Sequence, residues 1–460
     1  MFKKIFLALI LLICIAILVA FWSYKHAQWE EERKGDQLLT QLKEVALKAG
    51  LSLEKPLTAP EVPPEQNGKD LYAQIFALLD KTPVSENLDY YVDFRLGTFD
   101  TTVLEEPLDE KKIREELNQF APLFELLSQA TTKERTVFPL KYEDLSEMEM
   151  PHLFNLKTLA RLLICKAFFQ LDEKNYEASL QTVDQIFRLT QPLDEDYVIL
   201  SVLVSLPIRS LGIEAASLIL SQSPYHQKLE EQLMQQLKKI NPQEMFFRGL
   251  KGEIYCGSFL LERWKTGEYS TEKVMKLLES PLSQDKFWDN IKVSMALDST
   301  KYKDRCLYYK NSINLMQQYK KSDVELESAL NQVYDTTTKL PFETPLNSMI
   351  YGSISDIWPR IKQNQMSICC LSLYLQVRQF HYKKSHYPEN LEALKGEFLD
   401  VPCDPSTQQD LHYSLTPEAI LIYSNGLNTI DDGGKIDAPS GDFLDVGLKI
   451  SLKPLTEEKK

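Results

Sequence analysis

The sequence predicts a mainly α-helical chain with an N-terminal transmembrane helix, an irregular helical bundle or solenoid as its body, and a small C-terminal α+β tail with a short antiparallel sheet. Three observations predict it. Residues 5–22 are apolar and uncharged. From about residue 69 to 345 apolar side chains recur at the helical period, and strand-like alternation is scarce. After Pro402 the pattern changes to short alternating runs separated by turn residues.

The first element reads IFLALILLICIAILVAFW from Ile5 to Trp22. A helix of that length rises roughly 27 Å, close to the hydrocarbon thickness of a bilayer. Lys3 and Lys4 precede it, Trp22 and Tyr24 follow it, and Glu30 to Glu32 lie beyond. Positive charge stays on the cytoplasmic side, so residues 1–4 form a cytoplasmic stub and the rest of the chain lies outside. A retained anchor is expected over a cleaved signal peptide, because the apolar run is long and no A-x-A site follows it. A lipoprotein needs a small residue before its cysteine, and Ile13 precedes Cys14.

Residues 23–68 hold an amphipathic helix over 28–48, with Leu38, Leu39, Leu42, Val45 and Leu47 as its apolar positions, and then a stiff linker. Pro56, Pro60, Pro63 and Pro64 set that stiffness. The helical body, 69–345, opens near Asp70. Residues 152–171 are apolar nearly all round, which predicts a buried helix. Residues 176–190 carry Leu180, Val183 and Phe187 on one face, and the polar turn Asp172 to Asn175 makes the two an antiparallel pair. Further helical stretches cover roughly 196–221, 226–240, 244–267, 271–279, 303–320 and 322–335. The tail region, 346–452, begins with a helix from about Ser355 to Lys384. Strands follow around Leu411 to Leu415, at Ala419 to Tyr423 and at Val446 to Leu452. Residues 453–460 are a charged end.

Composition narrows the partners. The chain has 460 residues, 43% hydrophobic and 10% aromatic, and only 16 glycines, which suits a globular protein with a real core. Its net charge of -14 repels phosphate backbones, so no nucleic-acid partner is expected. Lys301, Lys303, Arg305 and Lys310 read as a solvated helix face. Seven cysteines show no CxxC and no regular spacing, which suggests neither a zinc site nor a disulfide framework. The six histidines form no metal-ligand spacing, and Walker, dinucleotide and G-x-S-x-G patterns are absent. No catalytic residue is nominated.

Two resemblances add to this reading. The pair at 159–190 resembles a tetratricopeptide unit through Ala167, Tyr176 and Phe187, without recurrence at the 34-residue period. In the tail, Tyr387-Pro388 and Leu391-x-x-Leu394 are followed by Val401-Pro402-x-Asp404-Pro405, Leu411-x-Tyr413, Ile422-Tyr423-Ser424-x-Gly426-x-Asn428, Asp431-Asp432-Gly433-Gly434 and Asp445-Val446. This order resembles the C-terminal region of type II secretion major pseudopilins over residues 366–447. The whole layout, with Pro63-Pro64-Glu65-Gln66-Asn67 and Tyr72, is similar to a broad group of bacterial membrane-anchored proteins. The segment at 5–22 lacks the Gly-Phe-Thr-Leu-x-Glu start of pilins, so prepilin processing is not expected.

The pseudopilin resemblance implies calcium in the acidic loop, with Ser424, Asn428, Asp431, Asp432 and Asp445 as the matching or adjacent oxygen donors. Asn428 stands where the family usually has aspartate, and Lys435 to Gly441 departs in length and composition. The alternative is a network of Asp/Gly turns held by side-chain to backbone hydrogen bonds. The function expected is that of a non-catalytic envelope protein, single-pass in a bacterial inner membrane through residues 5–22. Its periplasmic bulk would bind protein partners as an interaction or scaffold module. The alternatives are an accessory part of a type II secretion or pilus-like system, and an envelope enzyme.

Overall fold

A computed structural model describes residues 2–98, 108–142, 148–277, 287–339, 347, 351, 354–436 and 444–452, with only the backbone course for 2–14, 275–277, 287–299 and 338–339. The charged end at 453–460 and residues 437–441 of the departing loop lie outside the described residues.

The first helices are α1 (Phe2–Lys48), α2 (Lys69–Leu79), α3 (Glu86–Arg95), α4 (Glu110–Asn118) and α5 (Ala121–Ala130). Next come α6 (Pro151–Asp172), α7 (Tyr176–Arg188), α8 (Gln191–Glu195), α9 (Ile199–Gln222), α10 (Gln227–Lys239) and α11 (Pro242–Thr266). The last are α12 (Thr271–Leu277), α13 (Phe287–Met316), α14 (Asp323–Lys339), α15 (Ile357–Lys384) and α16 (Leu391–Lys395). Strands β1 (His412–Leu415), β2 (Ala419–Ser424) and β3 (Val446–Ser451) form one antiparallel sheet in the order β1-β2-β3. The chain is therefore mainly helical with a small three-stranded sheet.

Contacts divide the chain into two units, each assembled from three segments. The first comprises Met1–Thr58, Lys141–Met148 and Lys251–Asp356; the second comprises Ala59–Leu140, Glu149–Leu250 and Ile357–Lys460.

In the first unit the later half of α1 packs on α13. Leu42, Ala46 and Leu51 are buried there, with Tyr308, Tyr309 and Leu315 from α13 and Leu326, Leu330 and Val333 from α14. Sequence reasoning places Arg305 on a solvated face, and the structure corrects this. Arg305 is 1% exposed, because Asp36 and Glu262 satisfy its guanidinium. Lys310, one turn on, is exposed as expected.

The second unit is built around α6. Its side chains are buried on nearly all sides by α3, α7 and α9, which is why it lacks a polar face. The turn into α7 forms as the sequence predicts. Lys174 takes a positive φ of 60°, and Asn175 caps α7 by accepting from the Ala178 N–H. Ser179 and Thr182 then bond back to Ala167 and Gln170, which fixes the antiparallel pairing. By length and composition α9 could cross a bilayer. Its apolar faces pack on α6, α7 and α15, so core burial accounts for that composition.

α15 lies across β2 and β3. Register pairs Ile422 with Leu448 and Ile420 with Ile450, and all four are buried. They share one continuous core with Leu371, Leu375 and Val377 of α15, and with α6, α7 and α9. Neither a lone helix nor a three-stranded sheet could hide its apolar face unaided.

Candidate functional site

The acidic tail loop begins at the end of β2. Ser424 is fully buried, and its Oγ donates to Asp404 Oδ1 at 2.7 Å. Asp404 is also fully buried and collects more donors: the Ser406 N–H and hydroxyl, each at 2.7 Å, and the Asn425 N–H at 2.9 Å. Burial pushes its carboxyl up, but these hydrogen bonds outweigh burial and hold it below the ordinary carboxylate value. Gly426 follows at φ +65°, where a Cβ would lie 2.2 Å from the Leu444 carbonyl oxygen. Only glycine lets the two chain segments approach this closely.

The remaining nominated donors lie just beyond. Asn428 accepts from the Ile430 N–H and donates to Asp432 Oδ2 at 2.9 Å. Asp431 Oδ1 accepts from the Gly433 N–H at 2.8 Å and from the Tyr423 hydroxyl at 3.1 Å. The Gly433 bond is the main reason its carboxyl is held below the ordinary value. Burial, and then the hydrogen bond to the Asp431 carboxylate, push the Tyr423 hydroxyl up to about 12. Asp445 is buried and receives two backbone N–H groups, Asp432 at 3.3 Å and Gly434 at 2.7 Å.

The fold thus brings the five nominated residues into one loop region, but amides, rather than a common centre, engage their oxygens. Among the described residues no group of three His, Cys, Asp or Glu side chains is spaced to hold a metal ion. Asp404, the hub of the network, is part of the quoted motif but was not nominated. Its sequence signal is the Asp-Pro-Ser-Thr turn at 404–407, where an aspartate characteristically bonds forward to the backbone.

A second polar centre is buried in the helical part of the same unit. His152 Nε2 lies 2.9 Å from Asp196 Oδ2, and Ser201 donates to that same oxygen at 2.7 Å. A nucleophilic triad needs the hydroxyl on the imidazole. Here both groups meet on the carboxylate, and all three side chains are sealed from solvent. The arrangement fastens the start of α6 to the start of α9.

The third feature lies in the first unit. Asp36 accepts from Arg305 and from Lys265, each at 2.7 Å. Burial raises the Asp36 carboxyl, but the hydrogen bonds from Lys265 and Arg305 hold it below its ordinary value. Arg305 also donates to Glu262 at 2.6 Å and to the Glu32 carbonyl at 3.3 Å. Gly35 admits it, since a Cβ there would lie 2.5 Å from the guanidinium. Thus α13 and the end of α11 grip α1 roughly three to four turns beyond its apolar stretch. No protein-family model, curated protein or solved structure matches the chain.

Proposed function

We propose that the chain is a single-pass protein of a bacterial inner membrane, with its N-terminus in the cytoplasm and its bulk in the periplasm. There it acts as a non-enzymatic interaction or scaffold module. The observation that carries this reading is α1. It runs unbroken through 47 residues, about 70 Å at the helical rise, so the apolar stretch and the gripped stretch form one rod. Ile17, Leu18, Val19, Phe21 and Trp22 are each more than half exposed, an apolar surface suited to lipid. The rings of Trp22, His26 and Trp29 lie in series, tilted to one another, with centroids 5.3 and 6.0 Å apart, a place suited to side chains that meet the headgroups. Alkaline carbonate extraction of membranes tests the reading. Retention in the pellet is expected, and release of the full-length chain would overturn it.

A second reading makes the protein an accessory of a type II secretion or pilus-like system. Its support is α15 lying on a three-stranded antiparallel sheet, together with the motif order of the tail. Crosslinking in intact cells separates the two. Recovery of pseudopilins or secretion-platform subunits above a control anchored protein favours the second reading. Recovery of unrelated envelope proteins favours the first.

A further inference from the structure

Cys369 and Cys403 both lie in the second unit as free thiols, the first half-buried and the second exposed. Two ties bring their segments together from opposite ends. At one end the Gln376 amide N–H donates to the Asp400 carbonyl oxygen at 2.7 Å, which lays the chain at 400 on α15. At the other end Cys370 Sγ donates to the Val446 carbonyl oxygen at 3.6 Å, Val446 is registered opposite Ser424, and the Ser424 hydroxyl donates to Asp404 at 2.7 Å. The chain from 400 to 404 therefore runs back along α15, from the level of Gln376 toward that of Cys370, with Val401 packed on the same core.

Spacing decides which residues meet. Cys369 precedes Gln376 by close to two helical turns, so the two share a face and stand roughly 10 Å apart along the axis. Pro402 keeps Val401 extended, so the chain from Asp400 to Cys403 also covers roughly 10 Å. This sets Cys403 against Cys369. The charges agree with the spacing. Burial pushes the Cys369 thiol up to about 12, and the Cys403 sulfur and the Asp404 carboxylate add to that rise. Cys370 is turned to the sheet and fully buried, so it is not the thiol that faces Cys403.

We infer that Cys369 and Cys403 form a disulfide that latches α15 to the turn carrying Asp404. Cys403 is exposed and reacts first. Its thiolate attacks one sulfur of a disulfide donor and releases one thiol. Cys369 then loses its proton and attacks the Cys403 sulfur, which releases the second thiol. Two protein thiols are oxidised, and one donor disulfide is reduced to two thiols. The supply of that donor rests on the periplasmic reading, because oxidising compartments sustain structural disulfides. The pairing itself stands on the second unit alone. The latch ties the long helix to Asp404, which already holds the end of β2.

The purified full chain in detergent micelles, treated with glutathione disulfide at pH 8.5, tests the pairing. Because the donor is added, failure here leaves the membrane reading untouched, and failure of carbonate extraction leaves the pairing untouched. Trypsin digestion without reductant should yield residues 363–378 joined to 396–435 within one chain. The joined peptide should be lost in Cys369→Ser and in Cys403→Ser and kept in Cys370→Ser. Oxidation should raise the melting temperature by about 5 °C in the wild-type chain and in Cys370→Ser, and in neither of the other variants. Thiols that stay free or stop at mixed disulfides with glutathione would overturn the inference. So would a link made by Cys370, a link only between chains, or a link that leaves the melt unchanged.

Discussion

Asp36 and Arg305 are separated by 269 positions in the chain and meet at 2.7 Å, with the guanidinium buried and the carboxylate half exposed. Arg305 bridges from Asp36 to Glu262 and makes a single polar cluster of α1, α11 and α13. Replacing the buried partner leaves its neighbours with unmatched charge. Arg305→Met should therefore cost roughly 3 kcal/mol. Arg305→Lys should restore only part of it, because one ammonium cannot reproduce the fork. Thermal melting in micelles measures the loss, and trypsin cleavage after Arg33 or Lys34 reports release of α1. An unchanged melt for Arg305→Met would show that the cluster does not hold this helix.

Asp404 should make the tail sensitive to acid. Its carboxyl lies below the ordinary value of 3.8 in the folded chain, so near that pH the unfolded chain binds more protons. The stabilisation is complete above the ordinary value and is lost as pH falls through the lower folded one. Hydrogen exchange of the β2 amides, followed from pH 6 downward, should show protection falling only below about pH 4. Asp404→Asn should abolish this dependence and cost roughly 2 kcal/mol, as expected for hydrogen bonds to a charged acceptor.

The acidic loop gives a test between cation and turn network. Asp445 is occupied by two backbone N–H groups, so both of its oxygens are engaged without an ion. The melt of the full chain should be the same in millimolar calcium and in chelator. Asp445→Asn should lower stability by about 1–2 kcal/mol in both, because one oxygen is replaced by a donor facing an N–H. A calcium-dependent rise in the melt that Asp445→Asn abolishes would instead make the five donors a calcium site.

A charge in the apolar stretch tests the anchor directly. Ile15→Arg places an arginine within the segment, at roughly 3 kcal/mol by insertion scales. The fraction retained in carbonate-washed membranes should fall while the melt of the body stays unchanged. Retention equal to that of the wild-type chain would count against a bilayer-spanning α1.

The fold was legible where one signal decided it. The all-round apolar run at 152–171 could only be a buried helix, and Asn175 after a polar turn fixed where the next one starts. The alternation at Leu411, Tyr413 and Leu415 and the compact run at Ala419 to Tyr423 gave the first two strands, with Val446 onward as the third. Two features were not legible. The change from apolar to acidic residues near Glu30 looks like an end, yet nothing there breaks a helix, and α1 continues to Lys48. Arg305 looks like any surface cation, because its partners lie far off in sequence and local pattern carries no trace of them. Of the tail site, the acidic residues were legible from their motif. Asp404 was not, because its importance comes from the distance between the 404–407 turn and the end of β2, which only the folded sheet sets.

The three-segment construction of each unit also governs the order in which the chain can fold. The first unit takes in residues from Met1 to Asp356, and the second cannot close before α15 and the sheet exist. Synthesis runs from the N-terminus, so α1 is made long before Arg305 is available to grip it. The half-built chain must carry exposed core surface for most of its length, which favours slow folding and a need for chaperones. Truncation anywhere between residues 58 and 356 leaves both units incomplete, so a stop within that span should remove the whole body and never leave a working half.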